Sequence, residues 1–273
     1  MAHKPKPAAS VDPVWSSIRA DAEDLVAREP LMASLAHACV LHHDSFERAL
    51  SFRIAQKLAS PEMSELLIRE LADEAYANQP AIGLFARADA VAVHERDPAC
   101  HGYLQPLLFF KGYLALQSYR VAHWLWSSGH RDLSYFVQMR TSEVFGVDIH
   151  PGARLGHGIM IDHAHSIVIG ETAVVGDNVS MLHSVTLGGT GKEDGDRHPK
   201  IGNGVLIGAG AAVLGNITIG HCSRIAAGSV VLESVPPCAT VAGVPARVVG
   251  TAGCDQPSQM MDHLFATAEE GQD

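Results

Sequence analysis

The chain changes its hydrophobic period near residue 146. Before that point, apolar residues recur at three- and four-residue spacing with charged residues between them, which is typical of amphipathic helices. One such run consists of Met63, Leu66, Leu67 and Leu71. Asp12-Pro13 and Ser60-Pro61 each predict a helix start, because Asp or Ser caps the first turn and proline fits the first helical position. The pattern predicts helices at about 13–29, 31–42, 44–59, from Pro61 onward, 81–96, 106–127 and 131–145.

Beyond residue 146 the hydrophobic period becomes six. The repeating positions are Ile149, Leu155, Ile161, Ile167, Ala173, Val179 and Val185, and then Ile201, Ile207, Val213, Ile219, Ile225 and Val231. Twelve of these thirteen residues are Ile, Leu or Val. A six-residue repeat predicts a parallel β-helix, in which three short strands complete each coil around a dry aliphatic interior. The repeat by itself leaves the hand of the coil open.

The repeat is interrupted between Val185 and Ile201. Their separation of sixteen residues is not a multiple of six, so four residues beyond two hexads are expected to leave the coil as a polar loop within Gly188–Lys200. Such excursions from a regular solenoid are more often functional than decorative. From Thr251 onward there are five acidic residues and no Lys or Arg, which favours a flexible or partner-bound tail. We therefore expect a helical domain at 1–145, a β-helix at 146–250 and an acidic tail at 251–273.

The amino-acid composition also changes near residue 146, and it excludes several classes of function. Fifteen of the 16 aromatic residues precede Gly146, and 19 of the 25 glycines lie between Gly146 and Gly250. The net charge of -10 argues against nucleic-acid binding. A membrane span is not expected, since no apolar run approaches about 20 residues, and neither is a signal peptide, since the start Met1-Ala-His-Lys-Pro lacks an apolar core. Five scattered cysteines without a CxxC pair disfavour a disulfide scaffold. A cytoplasmic protein is the resulting expectation.

Two groups of polar residues could carry chemistry. Asp148 and His163 are fifteen residues apart, so coils of eighteen residues would bring them close on adjacent coils. A carboxylate beside an imidazole makes a competent general base. The same spacing also fits two unconnected polar residues at the surface. In the predicted loop, Arg197 and His198 add an anion-binding fork and a second imidazole.

Phosphate-binding and metal-binding motifs are not supported. The run from Gly188 to Lys192 departs from a P-loop, because Thr186 stands where the first glycine is required. His157, His163 and His165 suggest zinc, which the β-helical gamma-class carbonic anhydrases bind through three histidines. That family's HxxxxH pair is missing here. We expect no metal site.

Several motifs together resemble one family. They are Asp148-Ile-His-Pro, Asp162-His-Ala, the segment Ser184–Lys192, Gly195-Asp-Arg-His-Pro-Lys-Ile201, Ala242-Gly-Val-Pro-Ala-Arg247 and, in the helical half, Arg96-Asp97-Pro-Ala. This combination resembles the serine O-acetyltransferases of bacterial cysteine biosynthesis over approximately residues 12–250. The resemblance implies an α + β protein, with an all-α N-terminal domain followed by a left-handed parallel β-helix with one extruded loop. It also implies acetyl transfer from acetyl-CoA to L-serine, without a permanently bound cofactor.

The resemblance further implies a homotrimer or a dimer of trimers, with active sites between neighbouring prisms, and a role for each matching residue. His163 corresponds to the general base and Asp148 to its orienting partner. Asp97 and Asp162 would bind the serine ammonium, and Arg197 and His198 its carboxylate and side chain. The residues expected along the acetyl-CoA arm are Gly189, Thr190, Ala209 and Gly210, with Lys192, Lys200 and Arg247 as candidates for its phosphates.

Two departures from the family pattern stand out. His165-Ser166 replaces the usual Thr-Gly, so His165 either packs at a coil corner or alters the site. The chain ends in Asp273 rather than isoleucine, which puts binding to O-acetylserine sulfhydrylase in doubt. Inhibition by L-cysteine is expected, since only Oγ becomes Sγ. A related acyltransferase with another acceptor, or an inactive β-helix scaffold, are the alternatives.

Overall fold

The N-terminal half of the chain is helical. A computed structural model describes residues 12–191, 194–253, 256–261 and 263. The α-helices are α1 Pro13–Arg28, α2 Ala33–Ala36, α3 Phe46–Leu58, α4 Glu65–Asn78, α5 Ala81–Arg96, α6 Leu104–Leu108, α7 Lys111–Ser127, α8 Arg131–Phe145 and, near the C-terminus, α9 Pro257–Met260. None of the described helices is long and apolar enough to span a bilayer.

One of the two expected helix starts is confirmed and the other is wrong. The Asp12 carboxylate accepts a hydrogen bond from the Trp15 N–H, as an N-cap should. At Ser60, however, the hydroxyl accepts from the N–H groups of Glu62 and Met63 and closes a local turn. Helix α4 therefore begins only at Glu65, with Ser64 as its cap.

Two expected helices are interrupted. The segment expected at 31–42 consists of a 3₁₀ turn over Pro30–Met32, then α2, then a π-helical turn over His37–Leu41. The helix expected at 106–127 breaks after Leu108, and α7 begins at Lys111. The break lets the start of α7 approach the β-helix closely, because a Cβ on Gly112 would lie only 2.0 Å from the Ile161 carbonyl oxygen.

The C-terminal half is a parallel β-helix, as the six-residue repeat predicts. The strands are β1 Val147–Ile149, β2 Arg154–Leu155, β3 Met160–Ile161, β4 Ile167–Ile169, β5 Val174–Val175, β6 Ser180–Met181, β7 Thr186–Gly188, β8 Lys200–Ile201, β9 Leu206–Ile207, β10 Ala212–Leu214, β11 Thr218–Ile219, β12 Arg224–Ile225, β13 Val230–Val231, β14 Ala239–Gly243 and β15 Ala246–Thr251. They form three sheets, which we name sheet A (β1, β4, β7, β10, β13), sheet B (β2, β5, β8, β11) and sheet C (β3, β6, β9, β12, β14, β15). Only the β14–β15 pair is antiparallel among the described strands.

The coil length corrects two details of the expected repeat. Val168 pairs with Thr186, a spacing of 18 residues, as expected. Asp148 pairs with Val168, a spacing of 20, so the first coil holds two extra residues at the corner between β3 and β4. The next insertion is also larger than expected, since Thr186 pairs with Ala212 at a spacing of 26. The loop therefore adds eight residues rather than four, because the phase of the repeat is shifted by two residues and the interruption contains one hexad rather than two.

A buried ion pair joins the two halves. Asp89 on α5 is fully buried and accepts hydrogen bonds from the Arg120 guanidinium, the closest at 2.7 Å. Its other oxygen accepts from the Ile159 N–H, and Arg120 also donates to the Gly156 carbonyl. Breaking one partner of such a pair leaves an uncompensated charge, which typically costs about 3–5 kcal/mol. This pair fixes the position of α5 on the β-helix.

Part of the expected acidic tail lies against the folded body. Ala252 is buried, and Pro257 and Ser258 of α9 are buried as well. Met261 packs against Val93 and Met160. The rest of this segment, including Asp273, lies outside the described residues, so its flexibility stays a prediction.

Candidate active site

A cleft of about 440 Å³ lies between the end of α5, the start of α7 and strand β3. Its polar residues include Asp97, Lys111, Asp162 and His163, and Phe109 and Phe110 form an apolar wall. Asp97 is the residue that ends α5, and its Oδ1 accepts a hydrogen bond from the Ala99 N–H at 2.8 Å. The structure thus brings together three of the predicted site residues, Asp97, Asp162 and His163.

His163 occupies a strained corner. His163, Ala164 and Ser166 all have positive φ angles, 56°, 46° and 58°, although none is glycine. Such conformations cost of order 1 kcal/mol or more each and cluster at functional sites. The His163 side chain is 71% exposed, and its Nε2 lies 3.5 Å from Asp162 Oδ2. An accessible imidazole beside a carboxylate can accept a proton from a bound hydroxyl.

Successive coils stack their corners into a continuous edge next to the cleft. We call it the base edge; it is the corner where sheet C turns into sheet A and includes residues 162–166, 182–184 and 208–211. The backbone links it from coil to coil, since Ser184 N–H donates to the His165 carbonyl and Gly210 N–H to the His183 carbonyl. Ala209 and Gly210, expected beside acetyl-CoA, therefore lie on the same edge as His163.

His183 was not among the predicted site residues, although it lies beside His163. Its ring meets the His163 ring edge to face, with centroids 5.7 Å apart. Its Nδ1 is buried without a hydrogen-bond partner among the described residues. The sequence offered a weak signal, because His183 is followed by Ser184 in the motif that carries the resemblance.

Asp148 is not bonded to His163. Its Oδ1 instead accepts a hydrogen bond of 2.6 Å from Gln138 Nε2, on α8. Among the described residues, neither an ion pair nor a hydrogen bond joins Asp148 to His163. His163 lies in the turn between β3 and β4, which holds the two extra corner residues, and Asp148 lies within sheet A opposite Val168. Sequence reasoning missed Gln138, whose place depends on how α8 packs.

Arg197 and His198 lie on a different edge. We call it the loop edge; it is the corner where sheet A turns into sheet B and includes residues 150–153, 170–173, 189–191 and 194–199. Arg197 Nη2 lies 2.8 Å from Glu171 Oε2. The Thr172 N–H donates to His198 Nδ1, which makes Nδ1 an acceptor and leaves the proton on Nε2. His198 packs directly on Gly170, where a Cβ would lie 1.9 Å from its Nε2.

Burial and neighbouring charges shift the pKa values of the histidines and of Glu171 on the loop edge. Burial lowers the pKa of His198, with the neighbouring Arg197 charge acting in the same direction. Burial also lowers the pKa of His150, which lies on the same edge. The hydrogen bond from Arg197 lowers the pKa of the Glu171 carboxyl. At neutral pH the loop edge thus holds neutral imidazoles beside an Arg–Glu ion pair.

The remaining predicted ligand contacts are dispersed. Gly189 and Thr190 lie on the loop edge, with Thr190 exposed. Arg247 lies on β15, exposed and 3.9 Å from Glu233. Lys192 is outside the described residues. The Lys200 ammonium donates to the Thr172 and His198 carbonyls and to Asp196, so it is engaged within the loop edge and the structure does not favour it as a phosphate contact.

His165 lies at the corner itself. Its side chain is exposed, with Nδ1 3.4 Å from the Lys111 ammonium and close to Gly146. His165 was expected either to pack at a coil corner or to alter the site, and this position fits packing at a coil corner. It lies outside the cleft lining, whereas Lys111 contributes to it.

Known proteins match both halves of the chain. A family model described as "Serine acetyltransferase, N-terminal" matches residues 14–118, and one described as "Bacterial transferase hexapeptide (six repeats)" matches residues 198–233. The serine acetyltransferase of Salmonella typhimurium is 54% identical over 259 residues, which cover 95% of each chain.

Solved structures agree with the sequence matches. Serine acetyltransferase from Brucella abortus in complex with coenzyme A has a TM-score of 0.88 and 52% identity, covering 89% of this chain and 98% of that one. A serine acetyltransferase in complex with cysteine has a TM-score of 0.91 and 49% identity, covering 93% and 98%. These findings confirm the predicted fold class and the predicted resemblance. The chain belongs to the serine acetyltransferase family.

Proposed function

We propose that the cleft at the base edge is where this enzyme transfers the acetyl group of acetyl-CoA to L-serine, with His163 as the general base. The activity follows from the family. Its assignment to this cleft is carried by one observation, an exposed imidazole that shares the cleft with Asp97 and Asp162. The edge continues from His163 to the small residues Ala209 and Gly210, beside which a thioester arm can approach the backbone.

The chemistry requires a base because a serine hydroxyl is a poor nucleophile at neutral pH. His163 takes the hydroxyl proton as the serine oxygen attacks the thioester carbon. The carbon–sulfur bond then breaks, and CoA leaves as a thiolate that takes the proton from the imidazolium. A backbone N–H near Gly189, on the loop edge that a second copy of the chain would bring to the site, is the proposed donor to the oxyanion. General-base assistance of this kind contributes on the order of 10²–10⁴-fold.

Substrate binding needs both signs of charge. In this proposal Asp97 and Asp162 bind the ammonium group, and Arg197 and His198 bind the carboxylate and side chain. The two edges lie too far apart within one prism for that. Ser184 and Gly189 are five residues apart along sheet A, or about 17 Å at 3.3 Å per residue. A serine molecule spans only about 4–5 Å, given bonds near 1.5 Å.

A second copy of the chain resolves this separation. If the loop edge of one prism lies against the base edge of the next, each site receives all four residues. An interface between two different surfaces of the same chain can repeat around a rotation axis until the ring of copies closes. In this proposal three copies close the ring and form a trimer. A dimer of trimers would contain six such sites. Light scattering on the purified protein distinguishes these two assemblies.

Complementation between two variants tests the composite site. We would co-express His163→Ala and Arg197→Ala chains and assay at a serine concentration where each variant alone is nearly inactive. When the two variants are expressed in equal amounts and form trimers at random, about one quarter of the sites should be intact. Each site needs an unmutated His163 from one chain and an unmutated Arg197 from its neighbour. Activity no higher than that of the separate variants would contradict the composite site, since a site within one chain cannot be restored by mixing.

The basic assay measures thiol release from acetyl-CoA with and without L-serine. Serine-dependent release is expected, with little release when a sugar replaces serine, because a sugar carries neither an ammonium nor a carboxylate. Absence of serine-dependent thiol would contradict the proposed function. L-cysteine should compete with serine, since it differs only in Sγ for Oγ.

The other expected partners stay predictions. The acetyl-CoA phosphates are assigned to Lys192 and Arg247, of which Lys192 lies outside the described residues. Binding to O-acetylserine sulfhydrylase depends on the C-terminus at Asp273, which is also outside them. A cytoplasmic location is expected from composition and from the biosynthetic role of the family.

A further inference from the structure

We propose that Gln138 is a positioning residue for acetyl transfer, acting by holding the Asp148 carboxylate. This inference rests on the proposed function, in which Asp148 orients His163. The observation behind it is the hydrogen bond of 2.6 Å from Gln138 Nε2 to Asp148 Oδ1. Both side chains are half-buried.

The bond crosses the junction between the two halves of the protein. Gln138 lies on α8, which ends at Phe145, and Asp148 is the central residue of β1. Gly146 between them takes the left-handed conformation, with φ 70°, and turns the chain from helix to strand. The helical domain thereby reaches a side chain of the β-helix beside the base edge.

The junction is already held without this bond. The Gly146 N–H donates to the Ser142 carbonyl, and the Gly146 carbonyl accepts from the Ile167 N–H. On either side of Gly146, Phe145 and Val147 are buried in the hydrophobic core. A bond that served only to join α8 to β1 would add little to this packing, whereas the orientation of Asp148 depends on it directly.

An amide suits this task better than a charged group. The carboxamide N–H fixes one oxygen of Asp148 and carries no charge, so the negative charge that stabilises a neighbouring imidazolium is retained. A Lys or Arg in its place would neutralise that charge. Asp148 Oδ2 has no hydrogen-bond partner among the described residues, so this oxygen is available for the contact with His163 that the proposed function requires.

A double-mutant cycle separates positioning from mere structure. The variants are Gln138→Met, which keeps the length but removes the donor, Asp148→Ala, and the two combined. Gln79→Met is the matched control, because it makes the same change at an exposed position of the helical domain. We measure kcat, the serine KM and the thermal midpoint for each.

We expect Gln138→Met to lower kcat about tenfold, as loss of one charge-assisted hydrogen bond would, with serine KM unchanged. Asp148→Ala should lower kcat further, and adding Gln138→Met to it should change nothing, because no carboxylate remains to be held. The control should match the parent enzyme. Gln138→Glu, of equal size, serves if the Met variant folds poorly, and it should lose kcat as well.

The outcomes that overturn the inference are distinct from failure of the proposed function. Parental kcat in folded Gln138→Met, or an equal further loss in the Asp148→Ala background, would remove Gln138 from the mechanism. Parental kcat in Asp148→Ala would instead show that the proposed role of Asp148 is wrong.

Discussion

The two edges of sheet A present opposite kinds of polar chemistry. At the base edge, the His163 side chain is 71% exposed and its Nε2 lies 3.5 Å from Asp162 Oδ2. At the loop edge, His198 is 7% exposed and is bonded to Thr172, while Arg197 is paired with Glu171. Both edges belong to the same β-helix and differ in the residues that their corners carry and in the length of their insertions.

This contrast fits the different tasks that we propose for the two edges. A reacting base must be accessible and able to change protonation state, which the base edge permits. A residue that holds a substrate benefits from being fixed beforehand, because less side-chain freedom is lost on binding. The loop edge is rigidified by its own ion pair and hydrogen bonds. The variants below test whether one edge controls turnover and the other controls affinity.

The largest expected effect belongs to the base edge. His163→Ala should lower turnover at least about a hundredfold, because the general base is lost. The thermal midpoint should stay unchanged, since the side chain is largely exposed. Serine-dependent thiol release and thermal unfolding measure the two effects. His221→Ala, an exposed histidine at another corner, is the control. Near-parental turnover in His163→Ala would show that the base is assigned wrongly.

At the loop edge the effect should fall on substrate affinity. Arg197→Ala should raise the serine KM by roughly 10- to 100-fold, as expected for lost hydrogen bonds to a charged group, with a smaller change in kcat. Serine saturation curves measure this. Arg48→Ala is the control, since Arg48 is exposed in the helical domain. An unaltered serine saturation curve for Arg197→Ala would exclude its contact with the substrate.

The smallest expected effect concerns pH and stability. Burial lowers the pKa of His198 in the folded state. Below its ordinary pKa of 6.5, the unfolded chain therefore binds more protons than the folded protein does, and stability falls as the pH falls. Between about pH 7.5 and 5.5, the thermal midpoint of the His198→Gln variant should fall by less than that of the parent protein. Equal losses in both proteins would show that His198 does not contribute.

The regular parts of the fold could be predicted because they depend on local period. The six-residue spacing identified the β-helix, and three- to four-residue spacing identified the helical half. Prediction failed at Ser60, where a hydroxyl closed a turn instead of capping a helix. It also failed at the two insertions. Ile161 and Ile167 are six residues apart and so fit the repeat, although the strand pairing is shifted by two residues between them.

The sequence could supply candidate site residues, and it could not predict how they are arranged. Asp97, Asp162 and His163 were named from motifs, and folding places them in one cleft. The pairing of Asp148 with Gln138 had no sequence signal, because it depends on the packing of α8 against β1. The separation of Arg197 from His163 likewise depends on which corner of the prism each residue occupies.

The sequence by itself determined the two architectures, the extruded loop and the identity of the chemical groups, because periodicity and motif are properties of neighbouring residues. Tertiary structure alone decided which groups meet. Coil length sets the corner at which each residue lies, and helix packing selects the partner of each carboxylate. Both depend on contacts between residues far apart in the chain, and no local pattern records them.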